Sequence, residues 1–316
     1  MQLNLKTSLY FPVQWGTGLK YFAFSPDGQL IAVRKMYDWT MEDENIFIYD
    51  LTGDCKWCTR SRDGGETGVA FWQDKYHILA PGCGDGSTNP QKEGLKIFQI
   101  GTTGNYSDYT LAFANTGLVG PNISLFAASE DGKAVITNHG LQVGEKEYPK
   151  SAINHASEYY FSSDLRYLGG IRYYESSSWV IAIEEQKPLF DKEENFVAFV
   201  PNKKILTENN GVLSLWHLDS LQKITEARHP GQGSQCRILS AVSSDDGKLI
   251  ALYNDYNHTL SILDGAQLTP LTTTIIAEKS KIRRLKFSNN QQFLLGVVMS
   301  SAYNAEEISI WSLDGN

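Results

Sequence analysis

Residues 21–35 read YFAFSPDGQLIAVRK. Alternating apolar residues, Phe22 and Phe24 and then Leu30 and Ala32, flank a Ser-Pro-Asp-Gly turn, which is the pattern of two short strands joined as a hairpin. The pattern returns as VAFWQDKYHILA from Val69, FAASEDGKAVIT from Phe126, YYFSSDLRYLGG from Tyr159, VAFVPNKKILTE from Val197, AVSSDDGKLIAL from Ala241 and LKFSNNQQFLLG from Leu285. With Phe24 as the register mark, the matching positions are Phe71, Ala128, Phe161, Phe199, Val242 and Phe287. Their spacing averages about 44 residues, the period of a four-stranded propeller blade.

A third strand should follow each hairpin. Candidates begin at Asn45 (NIFIYDLTG), Leu95 (LKIFQIGTTG), Ser178 (SWVIAIEEQ), Val212 (VLSLWHLDS), Thr259 (TLSILDGA) and Ile308 (ISIWSLDGN). The third copy offers only LQVGEKEY from Leu141, which is short and charged. No stretch sustains apolar residues three and four apart over helical length, and the 27 glycines and 16 tyrosines suit tight turns and half-buried strands. The expected fold is all-β: a seven-bladed β-propeller of four-stranded antiparallel blades, a single domain over 1–316, with blades starting near 21, 68, 123, 158, 196, 238 and 283. One such sheet cannot bury its own faces, so blades pack radially and the inner strands should be mostly apolar, as at Phe22, Phe24, Val69, Phe71, Val197, Phe199, Leu285 and Phe287.

Copies one, five and six resemble the WD-repeat family of β-propellers, whose unit carries a hairpin around a Ser-Pro-Asp-Gly-like turn and a third strand ending in Trp-Asp. In this chain the terminal dipeptides are Tyr49-Asp50, Phe98-Gln99, Trp216-His217, Leu263-Asp264 and Trp311-Ser312. The Gly-His that opens a family repeat has no convincing match, so the resemblance does not carry over the hydrogen-bonded network that the dipeptide implies inside each blade. The seventh repeat supplies IRRLKFS, QFLLGVVM and ISIWSLDG and is one strand short. As the resemblance implies, residues 1–10 are expected to close the ring as its outer strand, which also hides a sheet edge.

The formal charge of −8, from 28 Lys plus Arg against 36 Asp plus Glu, weighs against a general nucleic-acid or anionic-membrane binder. The opening MQLNLKTSLYFPVQW lacks a basic segment followed by an apolar one, and no window nears the roughly 18 apolar residues of a spanning helix. A soluble, cytoplasmic protein is expected. Cys55 and Cys58 form a C-x-x-C in a strand-like segment without a second pair, and together with Cys83 and Cys236 they are expected to be unligated thiols. Asn105, Asn122 and Asn257 open sequons that would matter only in a secreted protein.

The six histidines form no H-x-x-x-H, and no G-x-S-x-G or P-loop occurs in the needed context. The Gly-rich PGCGDGSTNP (81–90) lacks the glycine and glutamate placement of a calcium loop. No catalytic residue, metal site or cofactor is therefore assigned. What stands out is the length of three connections between second and third strands: MYDWTMEDEN (36–45), PGCGDGSTNPQKEG (81–94) and SSAYNAEE (300–307). In the geometry the resemblance implies, these open on one rim, in neighbouring blades 7, 1 and 2. Tyr37, Trp39 and Tyr303, with Met36 and Met41, supply apolar contact area; Asp38, Glu42, Asp43, Glu44, Asp85, Glu306 and Glu307 surround them. Such a surface favours a basic protein or peptide partner, so the leading expectation is a non-catalytic interaction or scaffold propeller. The alternatives are a propeller enzyme or small-ligand binder with its site in the central channel, and a purely architectural subunit.

Overall fold

The recurrent hairpin is built on one buried hydroxyl. Ser25 Oγ donates to Asp27 Oδ1 at 2.7 Å and accepts the Leu30 N–H at 2.8 Å, while Asp27 Oδ1 accepts the Gln29 N–H at 3.1 Å. Ser129 with Asp131 and Ala134, Ser162 with Asp164 and Tyr167, and Ser244 with Asp246 and Leu249 reproduce this geometry. Ser288 does so with Asn290 in place of the aspartate. All five serines are buried. A hydroxyl offers one donor and two acceptor sites, so it can serve the carboxylate and still satisfy the strand N–H beside the turn. The residue three positions after each serine has a left-handed φ: Gly28 (65°), Gly132 (68°) and Gly247 (72°), but also Leu165 (56°) and Gln291 (55°). The other two hairpins turn differently, through Gln73 (63°) and through successive left-handed residues Asn202 and Lys203 (62° and 56°).

This computed structural model describes residues 1–12, 22–34, 46–59, 68–82, 94–101, 109–111, 124–129, 131–172, 177–190, 194–229, 238–278, 280–300 and 305–314. The chain is a seven-bladed β-propeller of four-stranded antiparallel sheets. One compact unit, Val13–Asn154, holds blades 1 to 3. Blade 1 comprises Phe22–Phe24, Leu30–Arg34, Ile46–Asp50 and Cys55–Thr59; blade 2, Ala70–Trp72, Asp74–Gly82, Gly94–Gln99 and Tyr109–Leu111; blade 3, Leu125–Ala128, Ala134–Thr137, Gly140–Val143 and Lys146–Pro149. The other unit, Met1–Pro12 with His155–Asn316, holds blades 4 to 7. Blade 4 comprises Glu158–Phe161, Tyr167–Arg172, Ser177–Ala182 and Lys187–Pro188; blade 5, Asn195–Val200, Lys204–Asn209, Val212–His217 and Lys223–Arg228. Blade 6 comprises Ile238–Ser243, Leu249–Asn254, Thr259–Asp264 and Pro270–Ile275. Blade 7 takes Ser280–Phe287, Phe293–Ser300 and Ala305–Asp314 from the C-terminal region, and its outer strand is Gln2–Pro12 from the N-terminus, as expected.

Within each unit, apolar faces of adjacent blades meet. Ala32, Ile46 and Ile48 of blade 1 pack with Phe71, Ile78 and Ala80 of blade 2. Leu206, Leu213 and Leu215 of blade 5 pack with Ile250, Leu252 and Leu263 of blade 6. In blade 4 two adjacent glycines admit large rings on opposite faces. A Cβ on Gly169 would meet the Phe196 ring at 2.5 Å, and one on Gly170 the Trp179 ring at 2.3 Å, closer than real Cβ contacts come. The turns themselves cross between blades: Lys75 Nζ of blade 2 pairs with Asp27 at 2.8 Å, and Asp219 of blade 5 receives Arg166 of blade 4 at 2.8 Å. Burial pushes the Asp246 carboxyl up, but hydrogen bonds from the Lys248 N–H and the Gln291 side chain of blade 7, with those from Ser244 and Lys248 Nζ, outweigh it and hold it well below the usual carboxylate range.

Three expectations need correction. In the sixth copy the register mark is Ser243, paired with Ile250, not Val242, because Ser244 is the residue that builds the turn. LQVGEKEY is not one strand: a left-handed turn at Gly144 (57°) divides it into the third and fourth strands of blade 3. Finally, Ser300 and Ala305–Glu307 lie in blade 7 strands rather than in a loop: Ser300 pairs with Ser280, and Ala305–Glu307 pair with Pro12–Tyr10.

Replacing Ser244 by Ala leaves the Leu249 N–H without its acceptor and should lower unfolding free energy by roughly 1–3 kcal/mol. Leu165→Gly should raise it by up to about 1 kcal/mol, relief of left-handed strain exceeding the added chain entropy. Chemical denaturation of both variants checks the pair of signs.

Candidate functional site

The first strands of blades 4, 5, 6 and 7 lie side by side in their unit. Apolar residues were the expectation there, and Phe196, Val197, Ile282, Leu285 and Phe287 meet it. Glu158 and Arg284 do not. The Glu158 side chain is 2% exposed, and its Oε1 accepts Arg284 Nε at 3.2 Å and Nη2 at 3.1 Å. The Tyr160 hydroxyl donates to Oε2 at 2.5 Å, and the Tyr160 ring packs on Phe196 with centroids 5.8 Å apart. The pair joins blade 4 to blade 7, past blades 5 and 6, across 126 residues of sequence. A bulge between Ile282 and Arg284 makes Arg283 an extra residue, a device that re-aims side chains at the centre of the unit.

A second polar layer surrounds the strand ends. In blade 5, Trp216 Nε1 donates to Thr207 Oγ1 at 2.8 Å, and Thr207 Oγ1 donates to Glu194 Oε2 at 2.5 Å. Glu208 accepts the Gly211 N–H at 2.6 Å and Asn195 Nδ2 at 3.3 Å. Between blades 5 and 6, His229 is buried and its Nδ1 faces Asn254 Nδ2 at 3.4 Å. Burial pulls the His229 pKa down to about 4. Between blades 6 and 7, Lys281 Nζ binds Asp255 Oδ2 at 3.0 Å and the Tyr253 hydroxyl donates to Ser280 O at 3.0 Å.

This arrangement ties strands together: its carboxylates accept from arginine, lysine, hydroxyl and amide donors within the fold. Among the described residues no group of three or more His, Cys, Asp or Glu could hold a metal. Cys55 and Cys58 are three positions apart on one strand, roughly 10 Å of rise and beyond reach of a disulfide with each other. Of the expected partner-binding residues, Tyr37, Asp38, Trp39, Glu42, Asp43, Glu44, Asp85 and Tyr303 lie outside the described residues. Glu306 is a strand residue opposite Phe11 and Met299. Its neighbour Glu307 accepts hydrogen bonds from the Ser8 and Ser309 hydroxyls. Glu158, Arg284 and the Glu194–Thr207–Trp216 chain were not singled out from sequence, although charge inside SEYYF and KIRRLKF, where inner strands should be apolar, marks the first two.

Seven meandering four-stranded sheets, the last completed by the N-terminal strand, define the class as a seven-bladed β-propeller. No protein-family model matches the chain, and no curated protein matches it. Among solved structures it is similar to a chain of the crystal structure of a mitotic checkpoint complex. The two are 12% identical with a TM-score of 0.59, over 98% of this chain and 92% of that one. A likeness at that identity carries the fold.

Arg284→Met strands the Glu158 carboxylate and should cost about 3–5 kcal/mol of stability, whereas Glu158→Gln with Arg284→Met should recover most of that loss. Denaturant titration of the single and double variants checks the coupling. His229 contributes a pH dependence of known sign. The unfolded state takes up a proton near pH 6.5 and the folded state only near 4, so stability is full at neutral pH, falls as pH drops through 6.5, and levels off below 4. The loss should be on the order of 3 kcal/mol and absent in His229→Gln, as read from unfolding midpoints at pH 7, 5 and 4.

Proposed function

We propose that this propeller is a non-catalytic interaction module, or scaffold, that binds a protein or peptide through the connections of blades 7, 1 and 2. The observation that carries the reading is the use of the charges at the centre of blades 4 to 7. Glu158 is held by Arg284 and Tyr160, and Asp255 by Lys281, so these groups brace strands. The fold is one that a subunit of a multiprotein complex also uses, which supports a protein partner in general. The aromatic and acidic content of residues 36–45, with Asp85, Tyr303 and Glu306, supports a basic segment as the ligand.

Affinity capture with wild type and Tyr37→Ala/Trp39→Ala tests the surface. Recovery of specific partners should drop at least tenfold in the double variant, and Asp43→Lys/Glu44→Lys should weaken recovery most at low salt. Equal recovery by folded wild-type and variant proteins would remove the assignment.

A further inference from the structure

Asn210–Gly211 is the one Asn-Gly step in the chain. It forms the tip of the blade 5 hairpin between Lys204–Asn209 and Val212–His217, where Asn209 pairs with Val212 and two residues make the turn. Both have a left-handed φ, 50° at Asn210 and 81° at Gly211, which is the conformation that selects Asn-Gly in a two-residue hairpin. The turn therefore demands a dipeptide that is also chemically labile. A glycine nitrogen is little hindered, and it lies one five-membered ring closure from the carboxamide carbon of the asparagine before it.

The structure holds both reacting groups. Gly211 N–H donates to Glu208 Oε1 at 2.6 Å, and Glu208 is buried, its other oxygen accepting from Asn195 Nδ2 at 3.3 Å. Attack by the amide nitrogen requires loss of its proton, and an anion at this distance opposes the negative charge that the loss leaves behind. Asn210 is exposed, but its Nδ2 donates to Asn209 Oδ1 at 2.7 Å, which pins the carboxamide. The Asp-Gly steps at Asp27, Asp131 and Asp246 are quieted differently. Each carboxylate accepts a serine hydroxyl and the N–H two residues on, and an ionised carboxylate is a poor electrophile. A carboxamide has no such ionised form, so restraint at Asn210 rests on its neighbours.

We propose that Asn210 is a latent deamidation site: Glu208 and Asn209 keep it unreactive while the blade 5 hairpin is closed, and it converts when the hairpin opens. In the open state Gly211 N gives up its proton to solvent and bonds to Asn210 Cγ. The Cγ–Nδ2 bond breaks, and Nδ2 takes up a proton and leaves as ammonia. Water then opens the five-membered imide at either carbonyl, giving aspartate or isoaspartate. Overall an amide and water become a carboxylate and ammonium, with no change of oxidation state. Both products lose the Nδ2 donor to Asn209 and add a charge two residues from Glu208. Isoaspartate also adds a backbone atom to a turn of two residues. Gly211 O accepts the His229 N–H at 2.9 Å, so displacement of the turn reaches the residue buried between blades 5 and 6.

Peptide mapping by mass spectrometry during incubation at mildly alkaline pH tests this, with isoaspartate counted by enzymatic methylation. Protection follows the population of the open hairpin, so native wild type should convert at residue 210 at least roughly tenfold more slowly than the same chain in urea. Glu208→Gln keeps the shape and removes the charge, and Asn209→Ala frees the carboxamide. Each folded variant should convert severalfold faster than wild type, yet match it in urea. Asn209 is only half-buried, so its variant decides the matter if Glu208→Gln does not fold. Native wild type that converts as fast as the unfolded chain, or folded variants that convert no faster than wild type, would overturn the proposal.

Discussion

A buried serine hydroxyl is the constraint on which this fold depends. At Ser25, Ser129, Ser162, Ser244 and Ser288 it accepts the backbone N–H five residues on and donates to the side chain two residues on. Because the side-chain period of a strand is two, displacing that turn by one residue would exchange the core and solvent faces of the next strand. In these five blades the turn therefore fixes which side of the sheet can bury its apolar residues against a neighbour. It also places Asp27 and Asp246 within reach of Lys75 and Gln291 of the following blades, so a local backbone requirement becomes a contact between sheets.

The centre of blades 4 to 7 answers a different requirement. Where first strands lie side by side, the chain sets a matched pair, Glu158 and Arg284, beside buried apolar residues such as Phe196, Ile282 and Leu285. Such a pair adds little net stability over an apolar substitute, yet it is costly to half-remove. Its more useful property is direction: a carboxylate gripped by two guanidinium nitrogens and a phenol tolerates little sliding of one blade past another. The Trp216–Thr207–Glu194 chain does similar work within blade 5, where a glutamate ahead of the first strand is tied to the second and third strands.

The fold was legible because repetition makes weak signals add. Ser-Pro-Asp-Gly alone says hairpin; seven hairpins, six of them followed by apolar third strands, say propeller, and the alternation of QLNLKTSLYF says where the missing strand is. Errors arose where apolarity and turn chemistry disagreed. Val242 looks like Phe24, but the hydroxyl that builds the turn belongs to Ser244, so the true counterpart is the polar Ser243. Leu165 and Gln291 disguise turns that glycine marks elsewhere. The central ion pair was hidden for a further reason: its members are 126 residues apart, and no local spacing relates them. Of the expected binding residues, Glu306 lies in a strand because pairing with Gln2–Pro12 carries the ladder beyond the apparent repeat.

That last strand also bears on how the protein is made. Asn4 is bonded to Asp314, 310 residues later, so this strand finds its partner only when the remaining strands of its sheet have been synthesised. Blades 1 to 3 have all their strands in consecutive sequence and can assemble as they emerge, while Gln2–Pro12 waits, extended and with apolar residues unshielded. Completion of blade 7 is a long-range step with a large loop-closure cost, which makes it the natural late event of folding. During translation this chain carries its own latch unfastened, and the hazard it must survive is capture of that strand by the wrong edge.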